Sequence, residues 1–480
     1  MREIRDAGDP DREVVPGDRL PDGRIADAPN LLSRRRLLAG GAALVGAGFA
    51  AGRLSGGASA HPPGTARVAR PRPAGHGRPP AAGSWEEVRA QFAPAPGQVQ
   101  LDGFVLGLPP RAVRAAIADY RRRLDSEGAG LLERDGNAIE EGVRQAAARY
   151  MATQPELVAL TDSTTMGLGL VYGGALLKPG DELLTGEHEF YATYEAMRFA
   201  AARTGARLRR VRLYDDPPRA DPRRLVDLLI AAVTPRTRMI GTTWVHSSTG
   251  LRFPVRDLAE RLKPINRART PSERVLLVVD GVHGLGVRPE PISALGCDVF
   301  VSGTHKWLWG PRGTGVVWAR RDAWRRVAPV IPSFDPQTYE AWRQGHPFAL
   351  GSLPWSAAMS PGGFHSFENR WALAEAFDFH RQLGRARVAR RIETLTERLR
   401  AGLQRLPRVR IVSPEHPVLR SSIVCFEIDG VEPRAAVDRL LRRGIRISVT
   451  PYPQVYLRAG CPLWLDEADV DRALAEIAAM

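Results

Sequence analysis

The chain has 480 residues, of which 44% are hydrophobic and 25% charged, and a formal net charge of +15. Those proportions belong to a globular protein rather than a disordered or membrane-embedded one, and the length predicts more than one domain. The basic excess is scattered arginine beside acids with no aromatic–basic module, so nucleic-acid binding is not expected; the three cysteines are far apart and odd in number, which excludes a disulfide scaffold.

The first sixty residues read as a targeting segment. A polar leader gives way to "SRRRLLAGGAALVGAGFAAGRLSGGASA", in which Arg34 and Arg35 precede an apolar run from Leu37 to Ala50. That run is too short to span a bilayer comfortably, and "ASA" at 58–60 has the form of a cleavage site. Residues 1–60 therefore resemble a twin-arginine export signal, which implies passage through the twin-arginine machinery, a periplasmic or extracellular location and no stable span in the mature protein. Residues 61–83, rich in Pro, Gly and Ala, read as a linker. A large domain over 84–370 and a small one over 371–480 are expected beyond it.

From Trp85 onward, helical and strand-like patterns alternate. "PRAVRAAIADYRRRLD" and "AIEEGVRQAAARYMA" have helical spacing. Short apolar runs then recur at 156–161, 182–186, 207–213, 238–245, 274–280, 298–303 and 314–319, with helix-like stretches between several of them. This predicts an α/β fold of βαβ units with a mostly parallel sheet, whose ligands gather beyond the strand carboxyl ends. A long helix over 366–406, broken at Gly384, leads to an α+β unit with strands "RSSIVCFEI" and "GIRISVTPY" and a closing helix "DEADVDRALAEIA".

Only three of the 68 basic residues are lysines, and one of them, Lys306, follows the strand-like run "DVFVSGTHK". A lysine can lose its proton and attack a carbonyl, which arginine does poorly. Asp280 ends the neighbouring run "VLLVVD". Amine and carboxylate in one crevice suit pyridoxal phosphate: the amine holds the aldehyde, and the carboxylate keeps the pyridine nitrogen protonated. The alternative is a strand-end salt bridge. In "TDSTTMGLGL" a strand meets a helix N-terminus rich in hydroxyls, which reads either as a phosphate site or as an ordinary N-cap. His188 in "GEHEFYATYEA" reads as a ring that stacks on a cofactor or as a capping residue. "GPRGTG" at 310–315 precedes a strand and lacks the GK[ST] ending, so it reads as a turn and not as a nucleotide loop.

Together "TDSTTMGLGL", "EHEFYATYEA", "VVDGVHGLG" and "SGTHKWLWGPRGTG" resemble the class V aminotransferase family, fold type I enzymes that use pyridoxal phosphate. "HKWLWGPRGTG" and "GGFHSFENRWALAEAF" are similar to its isopenicillin N epimerase-like branch, and with the export signal they are similar to periplasmic enzymes that tailor siderophore peptides. The resemblance implies that Lys306 anchors the cofactor, Asp280 pairs with its ring nitrogen and His188 stacks on it. Thr164, Thr165 and His305 would hold the phosphate with help from Ser302, and His283 would face the phenolic oxygen. Arg458 in "YLRAGCP" would clamp a substrate carboxylate, unless it is one more solvated arginine. The resemblance also implies a homodimer, with "PGGFHSF" near the neighbouring subunit. Two departures stand out. Ser247 replaces a common Asn, and no cysteine precedes Arg458 where desulfurases carry their nucleophile. The expected activity is aminotransferase-type chemistry on an amino acid or peptide, with epimerisation or elimination as alternatives within the family and a non-catalytic cofactor- or polyanion-binding relative as the alternative from another class.

Overall fold

The computed structural model describes residues 83–345 and 354–480; the segments read above as an export signal and a linker, up to residue 82, and residues 346–353 lie outside them. Seven strands form the central sheet: β1 (Val158–Thr161), β2 (Glu182–Gly186), β3 (Arg207–Val211), β4 (Thr237–Thr243), β5 (Leu276–Asp280), β6 (Val299–Gly303) and β7 (Gly315–Ala319). Their order is β1-β7-β6-β5-β4-β2-β3, and only β7 runs against its neighbours.

Both faces of this sheet are covered, which is why its strands are apolar runs rather than alternating ones. Leu277, Val279 and Phe300 enter one buried cluster, while Val278, Val299 and Val301 enter another on the opposite side. Full burial of each such side chain stabilises the fold by about 1.5–3 kcal/mol. Edge strand β3 differs. Its sequence RLRRV leaves Arg207 and Arg210 exposed, and that charge guards the open edge against pairing with another chain.

Helices α1 (Arg111–Glu127), α2 (Asn137–Met151) and α3 (Thr164–Gly173) precede or interleave the first strands. Further on, α4 (Phe367–Leu383) and α5 (Arg385–Gln404) are separated at Gly384, whose φ of +84° is left-handed and ends the first of them. Trp371 of α4 meets Tyr120 of α1 edge-on at 5.3 Å. A second, antiparallel sheet follows from β8 (Val409–Ile411), β9 (Val424–Ile428), β10 (Ser448–Val449) and β11 (Leu457–Ala459), in the order β10-β11-β9-β8. "GIRISVTPY" is split: Ile445–Arg446 pairs in parallel with Val99–Gln100, and only Ser448–Val449 joins the second sheet. The N-terminal segment thus packs with the C-terminal unit, where Val88, Phe92, Val99, Leu101 and Phe104 share one apolar cluster with Ile392, Phe426 and Val470. Among the described residues no helix is long and apolar enough to cross a membrane.

The register brings the chemistry together. Thr161 and Gly303 both pair with Gly315, and Asp280 pairs with Thr243. The segments after β1, β4, β5 and β6 therefore leave the sheet along one edge, as the topology of a parallel sheet requires.

Candidate active site

Lys306 follows β6 on a loop held from two sides. The backbone N–H of Gly107 donates to the His305 carbonyl at 2.7 Å, and a Cβ at Gly107 would fall 2.4 Å from the Lys306 carbonyl oxygen. No larger residue fits there without moving the loop. Three residues on, Trp309 has a φ of +53°, a strained conformation for a bulky side chain, and it is held by stacking on His380 at 4.3 Å and by Phe92 edge-on at 5.4 Å.

The amine of Lys306 meets His283 Nε2 at 2.9 Å. It makes no ion pair with Asp280, although each charge acts on the other. A strand-end salt bridge is therefore not what this pair forms. Burial pulls the Lys306 amine down to about 8, against the opposing pull of Asp280. Burial likewise raises the Asp280 carboxyl to about 6, opposed by the Val282 N–H, which donates to Oδ1 at 3.0 Å, and by Lys306. His283 is 5% exposed and held far below the ordinary imidazole range by burial and by the cations Lys306 and Arg458, so it is neutral.

Ser163 is the N-cap of α3, accepting from the Met166 N–H at 3.0 Å, so the N-cap reading is right for that residue. Thr164 is committed to the loop after β6: its hydroxyl accepts from the Gly303 N–H at 2.7 Å. A Cβ at Gly303 would lie 3.0 Å from both Thr164 Oγ1 and the His305 ring, so these two residues flank one small cradle. Thr165 is exposed on the first turn of α3. Ser302, within β6, is buried and donates to the Gly303 carbonyl at 2.8 Å. His305 is lowered to about 4 by burial and by Lys306.

His188 stacks face to face, but on Tyr214, at 3.7 Å and 8° between planes. Its Nε2 also accepts from the Tyr214 N–H at 3.4 Å, and burial holds its pKa at about 4, so the ring is neutral. Arg458, at the centre of the small sheet, is 7% exposed and not one more solvated arginine. Its Nε donates to Ser448 Oγ at 2.9 Å, its Nη1 to the Ser247 carbonyl at 3.2 Å, and its guanidinium lies over the Phe104 ring at 5.1 Å. None of those partners is a carboxylate. "GPRGTG" is the turn into β7, with Gly313 left-handed and Thr314 Oγ1 donating to the Pro311 carbonyl.

Four residues carry no role in the sequence reading and yet line this region. Phe104 underlies Arg458 and approaches His283 at 6.2 Å. Tyr452 bonds Ser247 hydroxyl to hydroxyl at 2.9 Å. Glu189 and His246 are buried beside each other, 3.5 Å apart. Glu189 stands one residue from His188 in an already recognised motif, and that acid after an apolar strand was the available signal; Phe104 and Tyr452 arrive from distant segments and carried none.

The model of the aminotransferase class-V family matches residues 108–450. The chain is a member of that family. It is 28% identical over 399 residues to an isopenicillin N epimerase of Streptomyces clavuligerus, covering 82% of this chain and 97% of that one. It is 29% identical over 367 residues to a cysteine desulfurase of Klebsiella pneumoniae, covering 72% and 83%. Among solved structures, a C-DES variant with glycine covalently linked to its PLP cofactor superposes with a TM-score of 0.72 at 23% identity, over 81% of this chain and 98% of that one. At that identity the match establishes the fold: fold type I of the pyridoxal-phosphate enzymes, as the sequence predicts.

The class-V site fits that cofactor on its own geometry. It offers a depressed amine, a buried carboxylate out of ion-pair contact with it, and a cradle at Gly303 that a Cβ would fill, between a hydroxyl and an imidazole.

Proposed function

We propose that this chain is an exported pyridoxal-phosphate enzyme that acts at Cα of an amino acid or an amino-acid-containing peptide by aminotransferase-type chemistry. One observation carries the reading: the Lys306 amine meets His283 Nε2 at 2.9 Å and makes no ion pair with the buried Asp280 carboxylate that acts on it. When bound, the cofactor supplies an electron sink for the pair released as a Cα bond breaks. This chain supplies the rest. Lys306 would anchor the group and, once released, would take the Cα proton and deliver it to the cofactor's former aldehyde carbon, with an amine pKa of about 8 suited to both directions near neutrality. Asp280 holds a proton at the ring nitrogen, and Thr164, Thr165 and His305 hold the phosphate. His188, neutral, lies against the ring without adding charge. Arg458 binds the substrate carboxylate through its planar fork.

A second reading, epimerisation, is favoured by the similarity to the Streptomyces clavuligerus epimerase over 97% of its length. Desulfuration has less support, because Cys297, Cys425 and Cys461 are all buried and burial raises the Cys425 and Cys461 thiols to about 12. Incubating the protein with the cofactor and single amino acids or short peptides in D₂O separates these readings. A 2-oxo product is expected; an inverted amino acid carrying deuterium at Cα, with no 2-oxo product, would establish epimerisation instead.

Two further parts of the proposal rest on other features. A homodimer is supported by the exposed aromatic side chains Phe334, Tyr339, Trp342 and Phe364, the last within "PGGFHSF", and is tested by the mass in solution. Export is supported by the Arg34-Arg35 segment and is tested by whether replacing both arginines with lysine retains the protein in the cytoplasm.

A further inference from the structure

Glu189 is a carboxylate with no role in the account so far. It is 7% exposed, and its side chain and that of His246 are almost entirely out of solvent. A buried carboxylate is costly unless donors surround it. Here Thr243 Oγ1 donates to Oε2, Thr242 Oγ1 donates to Oε1 at 3.4 Å, and His246 Nε2 stands 3.5 Å from Oε1. The Tyr214 hydroxyl lies 3.3 Å from His246 Nδ1; donation there leaves the imidazole proton on Nε2, facing Glu189. The two threonine hydroxyls and the imidazole surround the buried carboxylate oxygens, and no arginine or lysine pairs with them.

Its position matters more than its burial. Thr243 is the register partner of Asp280 across β4 and β5, so Glu189 is bonded to the residue beside the Asp280 carboxylate. The charged and titratable groups acting on Asp280 are Lys306, Glu189 and His246, and Glu189 raises the carboxyl while the other two lower it. The phenols of Tyr172, Tyr214 and Tyr452 also face this pair, all held neutral by burial.

We propose that Glu189, held by Thr242, Thr243 and His246, is a positioning residue whose buried charge behind Asp280 sets how tightly Asp280 and the cofactor group against it retain a proton. The inference rests on the cofactor reading above. A second negative charge strengthens proton retention, and removing it weakens that retention.

The test is a pH titration of the visible absorption of the full chain loaded with pyridoxal phosphate. Glu189→Gln should move the midpoint of the spectral transition down by about one pH unit, the scale of one nearby charge. Glu189→Asp, which keeps the charge, should stay near wild type, and the nearly isosteric Thr243→Val should move the midpoint in the same direction by less. A packing role alone would lower thermal stability and leave the midpoint in place. An unmoved midpoint in Glu189→Gln, or in Thr243→Val if the first variant does not fold, overturns the inference while the cofactor reading stands. A wild-type chain with no visible band after loading overturns that reading, and this inference with it.

Discussion

The two walls of the site are built differently. The wall under Lys306 comes from the central sheet, where register puts Thr161, Gly303, Asp280 and Thr243 along one edge. The wall around Arg458 is assembled from segments hundreds of residues apart: Phe104 from the N-terminal segment, Ser247 from the loop after β4, Tyr452 and Ser448 from the small unit. A sheet edge is rigid and delivers its residues by counting along strands. The opposite wall depends on how a second sheet and a long N-terminal segment pack, and it is the wall free to change for a new substrate. The proposed function places cofactor chemistry on the first wall and substrate choice on the second.

Substitutions on the two walls should separate. Arg458→Gln removes a buried guanidinium and should raise KM for a carboxylate substrate about 100-fold, the scale of a charged hydrogen-bonded pair, while the visible band of the loaded protein stays. Loss of that band would contradict the division of labour. Steady-state kinetics beside a spectrum decides it.

On the first wall, pH is the sharper tool. Because the Lys306 amine is depressed to about 8, capture of added cofactor by the apoprotein should speed up about tenfold per pH unit below that value and level off above it. The same shift bears on stability. A lysine whose folded pKa lies below its unfolded one makes the folded state bind fewer protons between about 8 and 10, so this group's share of apoprotein stability rises with pH through that window. Stopped-flow capture rates and thermal melts of the apoprotein read the two effects separately. A capture rate that keeps rising about tenfold per pH unit through pH 9 with no levelling near 8 would show an unperturbed amine.

A smaller effect is expected for Tyr452→Phe, which leaves the Ser247 hydroxyl without its phenolic partner. It should change kcat/KM by less than about tenfold, the scale of one neutral hydrogen bond, and leave the spectrum intact. Least of all should follow from Cys425→Ala. Cys425 sits across from Arg458 in the strand register but is fully buried, so turnover should be unchanged and stability lower by about 1 kcal/mol. A large loss of activity there would reopen the desulfurase reading.

The same contrast explains what the sequence made legible. The strand runs and the break at Gly384 could be read because burial on both faces and a left-handed glycine leave local marks. Lys306 and Asp280 could be read because each ends an apolar run. Thr164 was found by its helix start, although the hydroxyl is occupied by the Gly303 N–H within the fold itself. His188 was expected to stack, yet its partner Tyr214 follows β3 and nothing in "GEHEFY" pointed to it. Phe104 and Tyr452 had no periodicity or motif to reveal them, because their roles come from tertiary packing. Glu189 had a neighbouring motif, but only burial beside Thr243 and His246 gives it meaning.

The central claim is that Lys306 anchors pyridoxal phosphate in this crevice. The most direct measurement is the visible absorption spectrum of the purified chain after loading, set beside that of Lys306→Ala, before and after sodium borohydride. The account predicts a yellow wild-type protein whose cofactor becomes permanently attached to the peptide containing Lys306, and a variant that retains none covalently. A wild-type chain that stays colourless, or whose cofactor is fixed at Lys178 or Lys263 instead, would contradict it.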